Sequence, residues 1–121
     1  MDKAEFFGEA SKVIKAIRDI REQSTKEAQR FLDEIESLVS RIEYDTSRCD
    51  INFVLPTLVD VDRMIMKYLE KEPTKSVYLS DTLLRNYSRL VRVVAEFIRD
   101  NCIKPEKITE RGRIPVEPML M

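Results

Sequence analysis

The chain has 121 residues and almost balanced charge, with 21 basic and 22 acidic side chains and a formal net charge of −1. It has no histidine, which excludes Ser-His-Asp and Cys-His nucleophiles, His-ligated zinc and the Glu-x-x-His pairs of di-iron bundles. The sequence also has neither GxxxxGK[ST] nor GxGxxG, so the common phosphate-cradling loops are missing. We therefore expect no catalytic residues, no metal and no cofactor.

Size and hydrophobicity predict one domain with a packed core, because 43% of the residues are hydrophobic. No apolar segment approaches the roughly 20 residues that span a bilayer. The first residues, MDKAEFFGEA, carry acids and lack the apolar core of a signal peptide. These features predict a cytoplasmic protein without a membrane span. Cys49 and Cys102 are too few for a disulfide scaffold, and we expect both to be reduced.

From Phe6 to Ile42 a stripe of core candidates recurs every three or four positions, apolar except at the polar gap of residues 23–25, which is the period of a helix with one buried face. Two interpretations are open. One is a single coiled-coil-like helix over residues 3–46, and the other is two helices broken at residues 23–25. The sequence STKE at 24–27 fits a capping box that begins a helix. A tight reversal usually contains Gly or Asn, which this stretch lacks, so we favour the single long helix.

The polar residues of segment 44–52 indicate a loop before the most apolar run of the chain. That run predicts a helix over 53–72 with Pro56 in its first turn. Phe53, Val59 and Met66 widen its apolar stripe, so we expect a central helix contacted from more than one side. A last helix is predicted over 77–103, stopped by Pro105.

Together these elements predict an all-α fold, an antiparallel bundle of three to four helices over residues 1–104. Residues 105–121 contain three prolines and no helical period, and we expect an extended tail. Its apolar end either frays or straps back over the bundle or into a partner's groove.

The long-helix interpretation predicts self-association. At 1.5 Å per residue, such a helix is about 65 Å long, whereas the later helices reach about 30 and 40 Å and cannot cover its whole apolar stripe. A second copy would cover the remainder, which predicts a non-enzymatic interaction or assembly module that forms a homodimer. The predicted self-association residues are Phe6, Val13, Ile17, Ile20, Phe31, Ile35 and Leu38.

Arginines on the last predicted helix give an alternative function, binding of an anion. They recur at steps of four, three and seven and share one face. Arginine pairs well with phosphate and carboxylate, so nucleic acid or an acidic protein would be the partner. The ordinary alternative is a solvated face that pairs with acids of neighbouring helices. The residues are Arg85, Arg89, Arg92 and Arg99.

A third hypothesis comes from a resemblance. The segment Phe53-Val54-Leu55-Pro56-Thr57, followed by Tyr68 near the end of the same predicted helix, resembles the XpaC family, which is named for 5-bromo-4-chloroindolyl phosphate hydrolysis. The resemblance covers roughly residues 10–100 and implies a long helical region. The family name implies a phosphoester hydrolase, but no catalytic residue can be carried over onto this chain.

Overall fold

The fold was taken from a computed structural model, which describes residues 1–71 and 77–103. Four helices follow one another: α1 (Lys3–Glu22), α2 (Lys26–Ser47), α3 (Ile51–Lys71) and α4 (Val77–Asn101). No β-strand occurs within the described ranges. The prediction of an all-α helical bundle is confirmed. The predicted tail, 105–121, lies outside the described residues.

The helices surround one apolar core. Helix α1 packs against α2 and α4, and α2 also packs against α3. Helices α3 and α4 make few direct contacts, so the bundle is least closed along the edge between them. The largest completely buried side chains are Phe6, Phe97, Leu32, Ile35, Ile42, Ile65, Leu83 and Leu90. None of the described helices is long and apolar enough to cross a membrane.

The single helix predicted over residues 3–46 is wrong, because the chain reverses between α1 and α2. Salt bridges Arg18–Glu36 and Arg21–Asp33 join the two helices and show that they run antiparallel. The reversal needs no left-handed residue: Gln23 has φ −98° and Thr25 has φ −67°. The absence of Gly and Asn therefore does not prevent a turn here.

Side chains add to the backbone hydrogen bonds of the reversal, in which the Gln23 N–H donates to the Ile20 carbonyl and the Ser24 N–H to the Arg21 carbonyl. The Ser24 hydroxyl donates to the Ile20 carbonyl at 2.6 Å. The Gln29 amide donates to the carbonyls of Arg21 and Ser24, each at 3.2 Å. Thr25, rather than Ser24 of the predicted capping box, is the N-cap of α2, and its hydroxyl accepts from the Ala28 N–H.

The turn that follows α2 contains a cysteine in the left-handed conformation. Cys49 has φ 59°, the one positive φ of a non-glycine residue among those described. The N–H of Cys49 donates to the Thr46 carbonyl, and the N–H of Asp50 donates to the Asp45 carbonyl, both at 2.9 Å. This pair of bonds is the Schellman motif. It shortens the predicted loop 44–52 to three residues and allows α3 to begin at Ile51.

Because α3 begins earlier than predicted, Pro56 is its sixth residue rather than part of its first turn. Proline has no N–H, so the carbonyl of Asn52, four residues earlier, has no backbone donor at that position. Asn52 is exposed, so a water molecule can donate to this carbonyl instead. The Thr57 hydroxyl donates to the Phe53 carbonyl at 2.9 Å and supports the same turn.

The prediction of two reduced cysteines is also wrong. Cys49 and Cys102 form a disulfide with their Cα atoms 5.4 Å apart, across 53 residues of sequence. The bond ties the end of α4 to the turn between α2 and α3. Disulfides persist in oxidising environments, so the bond does not favour the cytoplasmic location, which stays a prediction.

The end of α4 is also held by the first residue. Met1 donates from its amine to the Asp100 carboxylate at 2.7 Å, and the Asn101 amide donates to the Met1 carbonyl at 2.7 Å. Hydrogen bonds from Arg99 and from this amine lower the pKa of Asp100 to about 2. Helix α4 ends at Asn101, two residues before the predicted end.

Candidate interaction surface

Helix α3 carries a stripe of large apolar side chains on its solvent side. Leu55, Val59 and Met66 are 55%, 49% and 51% exposed. Successive residues turn by 100° around a helix, so these three lie within about 40° of one another. Phe53 is also exposed, but it points to a different side of the helix.

The opposite face of α3 explains why this stripe is open. Val54, Val61 and Ile65 are buried and belong to the core. Helix α3 packs mainly on α2, contacts α4 sparingly and lies diagonally across the bundle from α1. The prediction that the helix is central is therefore wrong. Of the residues that widened its stripe, Val59 and Met66 face outward, as does Phe53.

Helix α4 extends the apolar stripe across the open edge of the bundle. Tyr87 donates from its hydroxyl to the Leu58 carbonyl of α3 at 2.6 Å, so this side of α4 faces α3. Leu84 and Val91 lie three residues before and four after Tyr87, on the same side, and both are exposed. We call the surface formed by Leu55, Val59, Met66, Leu84 and Val91 the α3–α4 edge.

Two opposite charges lie beside this surface. Asp62 and Arg63 fall between Val59 and Met66 along α3, and both are exposed. Neither forms a salt bridge with any other residue in the described ranges. Adjacent residues on a helix point in different directions, so the two charges do not pair with each other. A partner carrying both signs of charge would pair with both.

The residues predicted to self-associate lie elsewhere. Because the chain reverses after α1, their stripe folds against itself and forms the core of the single chain. Phe31 and Leu38 are partly buried, and the Phe31 ring stacks on Tyr68 with centroids 4.2 Å apart. The other five residues are buried: Phe6, Val13, Ile17, Ile20 and Ile35. The overhang from which the dimer was predicted does not exist.

The predicted arginine face is present on α4, but most of its charges are paired. Arg85 pairs with Asp81, Arg99 with Asp100, and Arg89 with Glu9 of α1 at 2.7 Å. The hydrogen bond from Arg89 is the main reason that the pKa of Glu9 is lowered. Arg92 is the fourth arginine, and it forms no salt bridge with a described residue. This arrangement favours the solvated, salt-bridged face, and anion binding stays a prediction.

The segment on which the resemblance to the XpaC family rests is only partly buried. Val54 and Thr57 are buried, whereas Phe53, Leu55 and Pro56 are exposed. These side chains offer no nucleophile beside a base. No group of three or more Cys, Asp or Glu side chains within residues 1–71 and 77–103 could hold a metal ion.

The α3–α4 edge was missed by the sequence reasoning, although the sequence carries its signal. Leu55, Val59 and Met66 are spaced by four and seven residues, which is a second helical stripe beside the buried one. Periodicity shows that α3 has two apolar faces, but it does not show that only one of them has a neighbour.

Comparison with known proteins adds no family to this description. No family model, no curated protein and no solved structure matches the chain significantly. The resemblance to the XpaC family stays a prediction, and with it the phosphoester hydrolase.

Proposed function

We propose that this chain is a non-enzymatic helical interaction module that self-associates through the α3–α4 edge. The observation that supports it is the stripe of Leu55, Val59 and Met66, each about half exposed although α3 has a fully buried opposite face. A contiguous apolar surface of this kind usually marks an interaction site.

A second copy of the chain is the partner that fits this surface best. It brings an equivalent apolar stripe, as required at a two-fold interface where the same patch serves both subunits. It also brings one unpaired acid and one unpaired base, Asp62 and Arg63, so each charge has an opposite one within the partner's surface. Complementary charges at an interface favour one orientation over others.

The test is a measurement of solution mass against concentration by multi-angle light scattering. The chain has a mass of 14.2 kDa, and self-association raises the measured mass toward about 28 kDa, the value for a two-fold dimer. Leu55→Glu should keep the mass at that of the single chain, because the interface would bury a charge that has no basic residue within one turn of it on α3.

Phe7→Glu is the matched control. Phe7 is an exposed aromatic residue on α1, which lies diagonally across the bundle from α3. This variant should associate like the parent chain. A parent that stays at 14.2 kDa up to millimolar concentration, or a loss of association in both variants, would contradict the proposal.

A further inference from the structure

The C-terminal segment leaves the bundle at one end of the α3–α4 edge. The disulfide holds Cys102 against Cys49, two residues before α3 begins. Ile103, the next residue, is exposed. Everything after it therefore starts beside the first turn of α3, close to Leu55, where the exposed stripe begins.

The segment is long enough to follow the whole edge. Residues 104–121 would span about 60 Å if fully extended. The 21 residues of α3 form a rod of about 30 Å. Half of the available length would therefore carry the segment from Leu55 past Met66.

The chemistry of the segment suits an apolar surface with both signs of charge beside it. Its first ten residues, 104–113, contain four basic and two acidic side chains, which would pass the unpaired charges of Asp62 and Arg63. The last eight, IPVEPMLM, contain five large apolar residues. Pro115 and Pro118 restrict their neighbours to extended backbone and cannot donate hydrogen bonds, so this part would bind through its side chains.

We propose that residues 105–121 fold back in cis over the α3–α4 edge and compete there with a second copy. Because the segment is tethered beside the edge, its effective concentration there is in the millimolar range. A second copy of the chain must compete with a segment present at that effective concentration. Only two observations support the cis contact: the position of Cys102 beside the start of α3, and the exposed stripe. The competition also rests on the proposed self-association, so the two parts need separate measurements.

Paramagnetic relaxation tests the cis contact. A nitroxide on Glu117→Cys labels the segment at a polar position, and the native cysteines are protected by their disulfide. In the ¹⁵N-labelled full chain, amide signals of Leu55, Val59 and Val91 should lose most of their intensity. The amide of Lys15 on α1 is the internal reference and should keep its intensity.

A mixed sample separates contacts within one chain from contacts between two chains. It contains one chain that carries the nitroxide but no ¹⁵N and a second chain that carries ¹⁵N but no nitroxide. Under the proposal the losses seen in the doubly labelled chain are absent or much weaker in this mixture at low concentration. Equal losses in both samples would place the segment on a second copy instead. No selective loss along the edge in either sample would overturn the cis contact, whatever the result for self-association.

The variant Leu120→Glu tests the competition. It should weaken the cis contact and lower the dissociation constant of self-association at least about threefold. Glu110→Gln is the control and should leave both the cis contact and self-association unchanged. If the paramagnetic losses disappear in Leu120→Glu while self-association is unchanged, the competition is wrong. A protein that is monomeric in every variant contradicts the proposed function and the competition, but not the cis contact.

Discussion

Tyr87 shows how one side chain links the two helices that pack least well. Its ring is half-buried, and its hydroxyl donates to the Leu58 carbonyl at 2.6 Å, so one hydrogen bond spans the sparse contact between α3 and α4. Burial, and then the nearby negative charge of Asp62, raises the pKa of Tyr87 from 10.0 to about 12. The neutral phenol is the form that can donate this bond.

The raised pKa predicts how stability depends on alkaline pH. Between about pH 10 and 12 the unfolded chain loses the phenolic proton while the folded chain keeps it, so the free energy of unfolding should fall as pH rises through this window. Tyr87→Phe should lower the stability by about 1 kcal/mol at pH 7 and should lose less stability than the parent from pH 9 to 11. Urea denaturation at each pH measures both effects. Identical pH dependence in the two proteins would contradict the assignment.

At the scale of elements, the turn between α1 and α2 decides the fold. It converts a continuous apolar stripe into two antiparallel helices, and a single side chain, Gln29, holds two of its carbonyls. Thr25 begins α2 as its N-cap. Replacement of Gln29 therefore acts on the reversal itself rather than on either helix.

Gln29→Ala should destabilise the chain by about 1–2 kcal/mol, because the Ser24 carbonyl loses its side-chain donor in a partly buried position and the Arg21 carbonyl keeps only backbone donors. Lys26→Ala, one turn earlier in the same helix and exposed, should change stability by less than about 0.5 kcal/mol. Thermal and urea denaturation followed by circular dichroism compare the two variants. Equal effects would mean that the Gln29 amide does not stabilise the turn.

Sequence reasoning predicted the helices better than their connections. Apolar spacing gave α3 and α4 to within two residues at every end that the structure describes, because burial of one face depends on local periodicity. A break at residues 23–25 was the less favoured of two interpretations, because the reversal uses ordinary negative φ values in place of glycine. The cap by Cys49 was missed for the opposite reason, since cysteine rarely adopts positive φ.

The sequence also did not predict which helices pack against each other. The number of apolar faces on α3 can be read from its residues, but which faces are covered depends on the path of the other helices. For this reason the predicted self-association surface proved to be the core, and the exposed surface was assigned to the interior. The disulfide was not predicted for the same reason, because a pairing across 53 residues follows from the fold and not from local spacing.

For the molecule as a whole, the disulfide is the strongest single constraint. Closing a loop of 53 residues removes conformational entropy from the unfolded chain, which corresponds to roughly 4 kcal/mol by the loop-entropy relation. Reduction should lower the free energy of unfolding by about this amount, with the helical circular dichroism of the folded chain largely kept.

The measurement is urea denaturation with and without a phosphine reductant. The variant with both Cys49→Ser and Cys102→Ser should have the stability of the reduced parent and should not respond to the reductant. A parent whose unfolding midpoint is the same in both conditions would contradict a stabilising disulfide.

The same bond changes the topology of the chain. Cys49–Cys102 and the peptide backbone between them form a closed covalent ring that contains all of α3 and α4. A single cleavage between residues 72 and 76 opens this ring but separates no part of the protein, because the two pieces remain joined through sulfur.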